Sequence, residues 1–332
     1  MTQPGTLLVS LDFELNWGVH DVFSLEQYGN RLEGSRKAIP RILELFNSYD
    51  IHSTWGIVGL LCFDNKVELL ANLPDIKPSY NHSKFSPYEK MDKVGENEEL
   101  DPYHFGSSLV RKIMDTPNQE IGTHTFSHYY CLEDGQSPEE FEADLMAAKY
   151  VFYQKSINMN SLIFPRNQTQ HSYLEICKKH GVRSYRGNET GWLYEASNQS
   201  QQHPLKRAAR LVDHYVNLTG HHTYQLNTVD KEPIVNLPSS RFLRPYSSSL
   251  KLLERSRLKR IKNSLTYAAK RGEVYHLWWH PHNFGKNIDE NIQFLRDILE
   301  HVELLKKRYG FQSLTMKEAT EKIQLVNAAC LL

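Results

Sequence analysis

The stretch TLLVSLDFEL, residues 6–15, runs apolar from Leu7 to Leu11, broken only by Ser10, and then meets two carboxylates, Asp12 and Glu14. A short apolar run predicts a buried strand, and charge at its C-terminal end predicts a functional edge. Side chains alternate along a strand, so Asp12 and Glu14 face the same side. Next, RLEGSRKAIPRILELFNSYD (31–50) carries Ile39, Ile42, Leu43 and Phe46 at helical spacing. DIHSTWGIVGLL (50–61) is β-rich, ends in glycine and leucine, and reads as a second strand. Strand, helix and strand in that order predict a βαβ unit, hence a parallel sheet.

The pattern continues beyond this unit. Residues 119–122 read as strand. SPEEFEADLMAAKYVFYQKS (137–156) reads as helix, with Ser137 and Glu140 forming a capping box. SLIFPRNQ (161–168) is a strand with a polar end, HSYLEICKKHG (171–181) a helix stopped by Gly181, and GVRSYRGN (181–188) a strand. EVYHLWWHPHNFG (273–285) is an aromatic-rich strand ending in two histidines, and 289–309 an amphipathic helix. Two stretches lack a sustained period. Residues 72–106 read as a rim excursion, and 189–249 as an insertion. No repeat or low-complexity linker divides the chain, so a single domain spanning 1–332 is expected.

Composition narrows the function. Lys plus Arg and Asp plus Glu both number 39, so the formal charge is zero, which argues against gripping nucleic-acid phosphates. The N-terminus lacks the basic start of a signal peptide, and no apolar run is long enough to span a bilayer. The four cysteines, Cys62, Cys131, Cys177 and Cys330, are scattered without a CxxC, which suits a reducing compartment. A cytoplasmic location is the expectation. The basic stretch KLLERSRLKRIKNSLTYAAKR (251–271) reads either as a solvated helix face or as a weak contact with an anionic membrane surface.

Polar residues recur at the C-terminal ends of successive strands, the edge where parallel α/β folds gather ligands and catalytic groups. Asp12 and Glu14 close the first. EIGTHTFSHYY (120–130) sets His124 and His128 four positions apart. On a helix the two would share a face, and both imidazoles could reach one divalent ion at ~2.0–2.1 Å. An isolated pair of this spacing is also a common surface pairing. Arg166 closes another strand, and His280 and His282 close the last.

This constellation resembles the polysaccharide deacetylases, the NodB-homology domain of carbohydrate esterase family four. EIGTHTFSH (120–128) is similar to that family's metal-binding His-(Ser/Thr)-x-x-His motif. HSTWGIVG (52–59) is similar to the strand before it. LVSLDFE (8–14) stands where the family has its aspartate motif, LIFPRNQ (162–168) where it has its arginine motif, and LWWHPHN (277–283) where it has the strand bearing the catalytic histidine. The order is right, over roughly the first 190 residues and the last 60. Within the family, the HPHN and SLDFE wording resembles members acting in bacterial surface-polysaccharide synthesis. Two departures stand out. Asp12-Phe13-Glu14 replaces two adjacent aspartates, and Asn167-Gln168 replace the prolines and aromatic that usually follow the arginine.

The resemblance implies an α/β fold, a distorted (β/α)7 barrel with a loop insertion in the C-terminal half. It implies metal-dependent hydrolysis of an N-acetyl group from an acetamido sugar, whether polysaccharide, lipid-linked or nucleotide-linked. Asp12, His124 and His128 are expected to hold one divalent metal, zinc by default, with cobalt, nickel or iron also suited to a His₂-carboxylate set. Asp12 is given the metal because it lies deeper in the strand. Glu14, nearer the rim and longer by a methylene, is given the general base, while the commoner family pattern implies the reverse, and both assignments stay open. Arg166 is expected to hold the base ionised, and His280, in preference to His282, to protonate the leaving amine. Trp17, Asn167 and His282 are expected to contact substrate. His276 reads as core or interface, and the aromatic cluster Trp278, Trp279 and Phe284 as packing in preference to a sugar platform. A related amidohydrolase or deformylase acting on a small metabolite or cyclic amide stays open, as does an inactive carbohydrate-binding protein.

Overall fold

The parity of β1 (Thr6–Phe13) separates two apolar environments. Leu7, Val9, Leu11 and Phe13 join the larger buried cluster, with Ile39, Ile42 and Phe46 of α1 (Leu25–Ser48). Leu8, of the other parity, joins Ile163, Val235, Leu237, Val274 and Met316 in a second cluster. Each fully buried side chain of this kind contributes ~1.5–3 kcal/mol, so both faces of β1 are anchored. The Leu8 face continues through Ser10 to Asp12, and this is the face the sheet curls around.

The computed structural model describes residues 3–190, 193–194 and 204–330, the side chains of 204–207 and 326–330 excepted. After β1 and α1 come β2 (Ser53–Ile57), α2 (Lys66–Ala71), α3 (Ser107–Asp115), β3 (Gln119–Thr123), α4 (Pro138–Gln154), β4 (Ser161–Leu162), α5 (His171–Lys179) and β5 (Ser184–Gly187). Then follow α6 (Pro204–Asp213), β6 (Val235–Pro238), β7 (Arg241–Phe242), α7 (Glu254–Arg271), β8 (Val274–Trp279), α8 (Ile288–Tyr309), β9 (Gln312–Leu314) and α9 (Met316–Cys330). The strands pair in parallel in the order β6-β5-β4-β3-β2-β1-β8-β7. β9 also pairs with β1, at Thr6–Leu8, where β2 has not yet begun.

The two ends of that path, β6 and β7, are consecutive in the chain. The link between them ties one edge to the other: Ser239 N–H donates to Gly187 O (2.8 Å) and Ser240 N–H to His276 O (2.8 Å). The sheet thus curls back on itself with helices outside, a distorted (β/α) barrel. All the strands run the same way, so the C-terminal ends of β1, β3, β4, β5 and β8 converge on one mouth.

The segment 189–249 is more than an insertion, because it supplies α6, β6 and β7; its residues 191–192 and 195–203 lie outside the described set. Strands of four and two residues, one ending in Pro238, are too short to show a period of two. β9, of three residues, escaped the sequence reading for the same reason, and α9 was not singled out there. The strand expected over 161–168 ends at Leu162, since Pro165 opens a turn in which Arg166 and Asn167 hold φ of 54° and 53°. In the basic stretch, Arg257 and Arg260 are buried, while Arg255, Lys259, Lys270 and Arg271 stay exposed. Among the described residues no helix is long and apolar enough to cross a membrane.

Candidate metal centre and active site

His124 and His128 are not on a helix. β3 ends at Thr123, and the two histidines sit in a loop where Thr125 and His128 adopt φ of 63° and 61°. Left-handed backbone is costly for a residue with a Cβ. Here Asp144 of α4 holds it: its buried carboxylate accepts from Phe126 N–H (2.7 Å), Ser127 N–H (3.1 Å) and the Ser127 hydroxyl. The rings still meet, with centroids 4.9 Å apart.

The carboxylate beside them is Glu14. Its Oε2 is 3.2 Å from His124 Nε2 and 3.0 Å from His128 Nε2. One ligand atom from each of Glu14, His124 and His128 fits within 4.8 Å of the others, and all three residues are buried. The carboxylate grouped with the two histidines is thus Glu14, where the sequence led to an expectation of Asp12. Asp12 is taken by Arg186 of β5, whose two terminal nitrogens donate to Oδ1 (2.5 Å) and Oδ2 (2.8 Å). An ion pair held at both oxygens leaves Asp12 little freedom to turn toward the histidines.

The donor set fits a divalent ion. His124 Nδ1–H donates to Ile163 O (2.8 Å), which leaves the Nε2 lone pair facing Glu14, buried and with no hydrogen bond. Metal-ligating histidines are commonly fixed through the other ring nitrogen in this way. Burial lowers the pKa of His128, keeping the ring in the neutral form that ligates. Burial pushes the Glu14 carboxyl up, but His280, His124 and His128 outweigh it, and Glu14 stays well below its usual range. Two imidazoles and a carboxylate suit zinc and its transition-metal neighbours.

Asp12 and the terminal histidines ring this centre. Burial raises the Asp12 pKa, but Arg186 more than offsets it, so Asp12 is ionised at neutral pH. His280 Nε2 lies 3.6 Å from Asp12 Oδ2 and 3.8 Å from Glu14 Oε1, and its side chain is 25% exposed. His282 Nδ1 is 3.6 Å from Glu14 Oε1, and that side chain is 6% exposed, its pKa driven by burial to about 3. The two rings stack at 4.9 Å.

Arg166 does not reach Asp12 or Glu14. It pairs with Asp21 and with Glu133 (3.0 Å) and lies over the Tyr130 ring, which packs edge-on against His128. It braces the histidine loop through Tyr130, and the ion pair with Asp12 is made by Arg186. Asn167 points inward, where its Oδ1 accepts from Arg186 at 2.7 Å, so it fixes the arginine instead of facing an open site. Trp17 is buried, donating to His104 O (2.8 Å) from the rim excursion. His276 is inside the barrel on Ser10 (2.9 Å), and Trp279 stacks on Phe284, both as packing. Trp278 differs: it is only half-buried, beside Phe242 and His280. Arg186, the partner of Asp12, was not singled out from the sequence. It sits in GVRSYRGN, and its only signal was its place at a strand's polar end.

A cavity of about 500 Å³ opens at the opposite end of the strands, lined by Gln119, Glu120, Lys317 and Glu318, and carries none of these groups.

Comparison with sequence-family models and with curated proteins gives no match. Solved structures do match. A Mycobacterium smegmatis protein assigned as a polysaccharide deacetylase superposes with a TM-score of 0.61 at 11% identity, over 98% of this chain and 93% of that one. A Pseudomonas aeruginosa protein with the same assignment gives 0.55 at 10% identity, over 95% and 89%. PuuE allantoinase gives 0.54 at 11% identity, over 95% and 89%. At such identities the likeness is one of architecture: the chain has the fold of the polysaccharide deacetylases.

Proposed function

We propose that this protein is a metal-dependent hydrolase that removes the N-acetyl group of an acetamido sugar, releasing acetate and a free amine. The observation that carries the reading is the buried Glu14–His124–His128 cluster with an ionised Asp12 and a partly exposed His280 beside it. Glu14, His124 and His128 would hold one divalent ion, zinc by default, which when bound polarises the amide carbonyl and favours deprotonation of water. Asp12 is the general base and takes the proton of the attacking water. Arg186 keeps Asp12 charged and aimed, and Asn167 and Ser10 fix Arg186. His280 gives a proton to the leaving nitrogen as the C–N bond breaks. Its exposure favours it over His282, which is buried against Glu14.

Hydrolysis of a small cyclic amide is the second reading, supported by the fold likeness to an allantoinase. One experiment separates the two. The purified protein is incubated with acetamido and formamido sugars, free, nucleotide-linked and as glycans, and with cyclic amides, each with and without chelator. Chelator-sensitive acetate release supports the first reading. Ring opening or formate release without acetate supports the second. A protein that turns over nothing, with or without added zinc, removes both.

A further inference from the structure

The proposed chemistry gives no part to the basic stretch at 251–271, and the structure divides it. Arg257 and Arg260 turn inward, Arg257 to Glu254 and Arg244 O, Arg260 to Gly220 O and the Ser264 hydroxyl. Lys251, Arg255 and Lys259 stay outside. With them stand two leucines just ahead of α7, both exposed, and Leu252 is 94% exposed. The segment that follows α6 lies beside the same helix: Gly220 O accepts from Arg260, and the His221 ring stacks on Tyr267 at 4.5 Å. It adds exposed Val216 and Leu218, and the end of α6 adds exposed Val212. Apolar side chains scattered singly over a surface are ordinary, but a group of them on adjoining segments marks a contact surface.

Charge selects the partner. In residues 208–222 and 248–262 the acidic side chains are Asp213 and Glu254. Asp213 is buried on Arg241 (2.6 Å), and Glu254 is paired with Arg257. The exposed charge of these two segments is therefore all positive. A second copy meeting the patch across a two-fold axis would bring positive surface onto positive surface. An anionic bilayer meets both features at once, taking leucines at the acyl boundary and cations among its headgroups. A side chain that protrudes as far as Leu252 suits such a soft partner. The patch also borders the mouth, since His214 meets Phe242 edge-on at 6.3 Å and Phe242 meets His280 at 6.0 Å.

We infer that Leu252, Leu253 and the 212–218 turn, with the exposed cations of α7 around them, dock this protein on an anionic lipid bilayer beside the catalytic mouth. The inference does not depend on which amide is hydrolysed, so it stands or falls apart from the deacetylase reading.

The test is sedimentation of the full chain with vesicles of phosphatidylcholine, alone or mixed with an equal part of phosphatidylglycerol. In low salt the wild-type protein should pellet with the mixed vesicles about fivefold or more above its level with phosphatidylcholine. It should return to the supernatant in ~1 M salt, where charges are screened beyond ~3 Å. Leu252→Asp, and separately the triple variant Lys251→Glu, Arg255→Glu, Lys259→Glu, change only exposed side chains and should keep the wild-type Tm. Each should cut pelleting about tenfold. A wild-type protein that stays in the supernatant overturns the inference, and so do variants that pellet as well as wild type. A wild-type protein that ignores vesicles but whose sedimentation coefficient falls in Leu252→Asp assigns the surface to a second copy of the chain and overturns it equally.

Discussion

Asp12 and Glu14 are two residues apart, point the same way, and do different work because of what each touches. Among the described residues the charge partners of Glu14 are histidines, while Asp12 has an arginine at both oxygens. Glu14→Gln should therefore abolish metal binding, and Asp12→Asn should keep the metal and lose about 10²–10⁴-fold in turnover, the usual worth of a general base. Elemental analysis beside kinetics checks it; metal retained in Glu14→Gln and lost in Asp12→Asn would restore the assignment expected from the sequence. Arg186→Lys keeps the charge but loses the two-pronged grip. It should lower kcat by more than tenfold with metal content unchanged. Arg166→Lys touches neither carboxylate and should act through the stability of the histidine loop, read as a lower Tm with kcat nearly intact.

At the scale of elements, the site depends on a close approach between α1 and the 280–285 loop. A Cβ on Gly34 would lie 1.9 Å from Gly285 O, and one on Gly285 would lie 1.9 Å from Arg31 O. Glycine in mid-helix costs ~1 kcal/mol relative to alanine, so its presence in α1 reflects this contact. Gly34→Ala should destabilise by ~1–3 kcal/mol through overpacking. It should also cut turnover, because the displaced loop carries His280 and His282; denaturation midpoints and kcat measured together test the coupling. A second link ties the start of β2 to α9. His52 Nδ1–H donates to Glu318 (2.8 Å), and that hydrogen bond raises the His52 pKa. The folded state then holds the proton more tightly than the unfolded one. The stabilisation is complete below the unfolded pKa of ~6.5 and is lost as pH rises through the folded value. Both partners are partly exposed, so the loss should be small, under ~1 kcal/mol. Tm against pH from 6 to 9 should show a decline that His52→Gln flattens.

For the molecule as a whole, the buried cluster sets a liability that an ion would relieve. A ligand that binds only the folded state at 100 times its Kd stabilises by about 2.7 kcal/mol. Chelator should therefore lower the Tm of the wild-type protein, and zinc should restore it, with neither affecting Glu14→Gln; equal response in both proteins would place the ion elsewhere. Much of this architecture was legible along the chain. The runs at 6–15, 50–61 and 273–285 were long and apolar enough to be strands, the capping box at Ser137 and Glu140 announced α4, and strand-end polarity marked the mouth. Those features are local, set by backbone periodicity and by chemistry within a few residues. The short strands β6 and β7 were not legible, since two to four residues carry no period, and they exist only because neighbours supply hydrogen bonds. Nor was the helical guess for His124–His128 correctable from spacing, because Asp144, sixteen residues past His128, holds the loop in its left-handed turns. The division of labour between Asp12 and Glu14 lay further out of reach. It turns on Arg186 coming across the barrel, 174 residues away, to one carboxylate and not the other. Sequence determined which side chains face the mouth; only the closed sheet decided which of them meet, because charge pairing acts through distance in space and not along the chain.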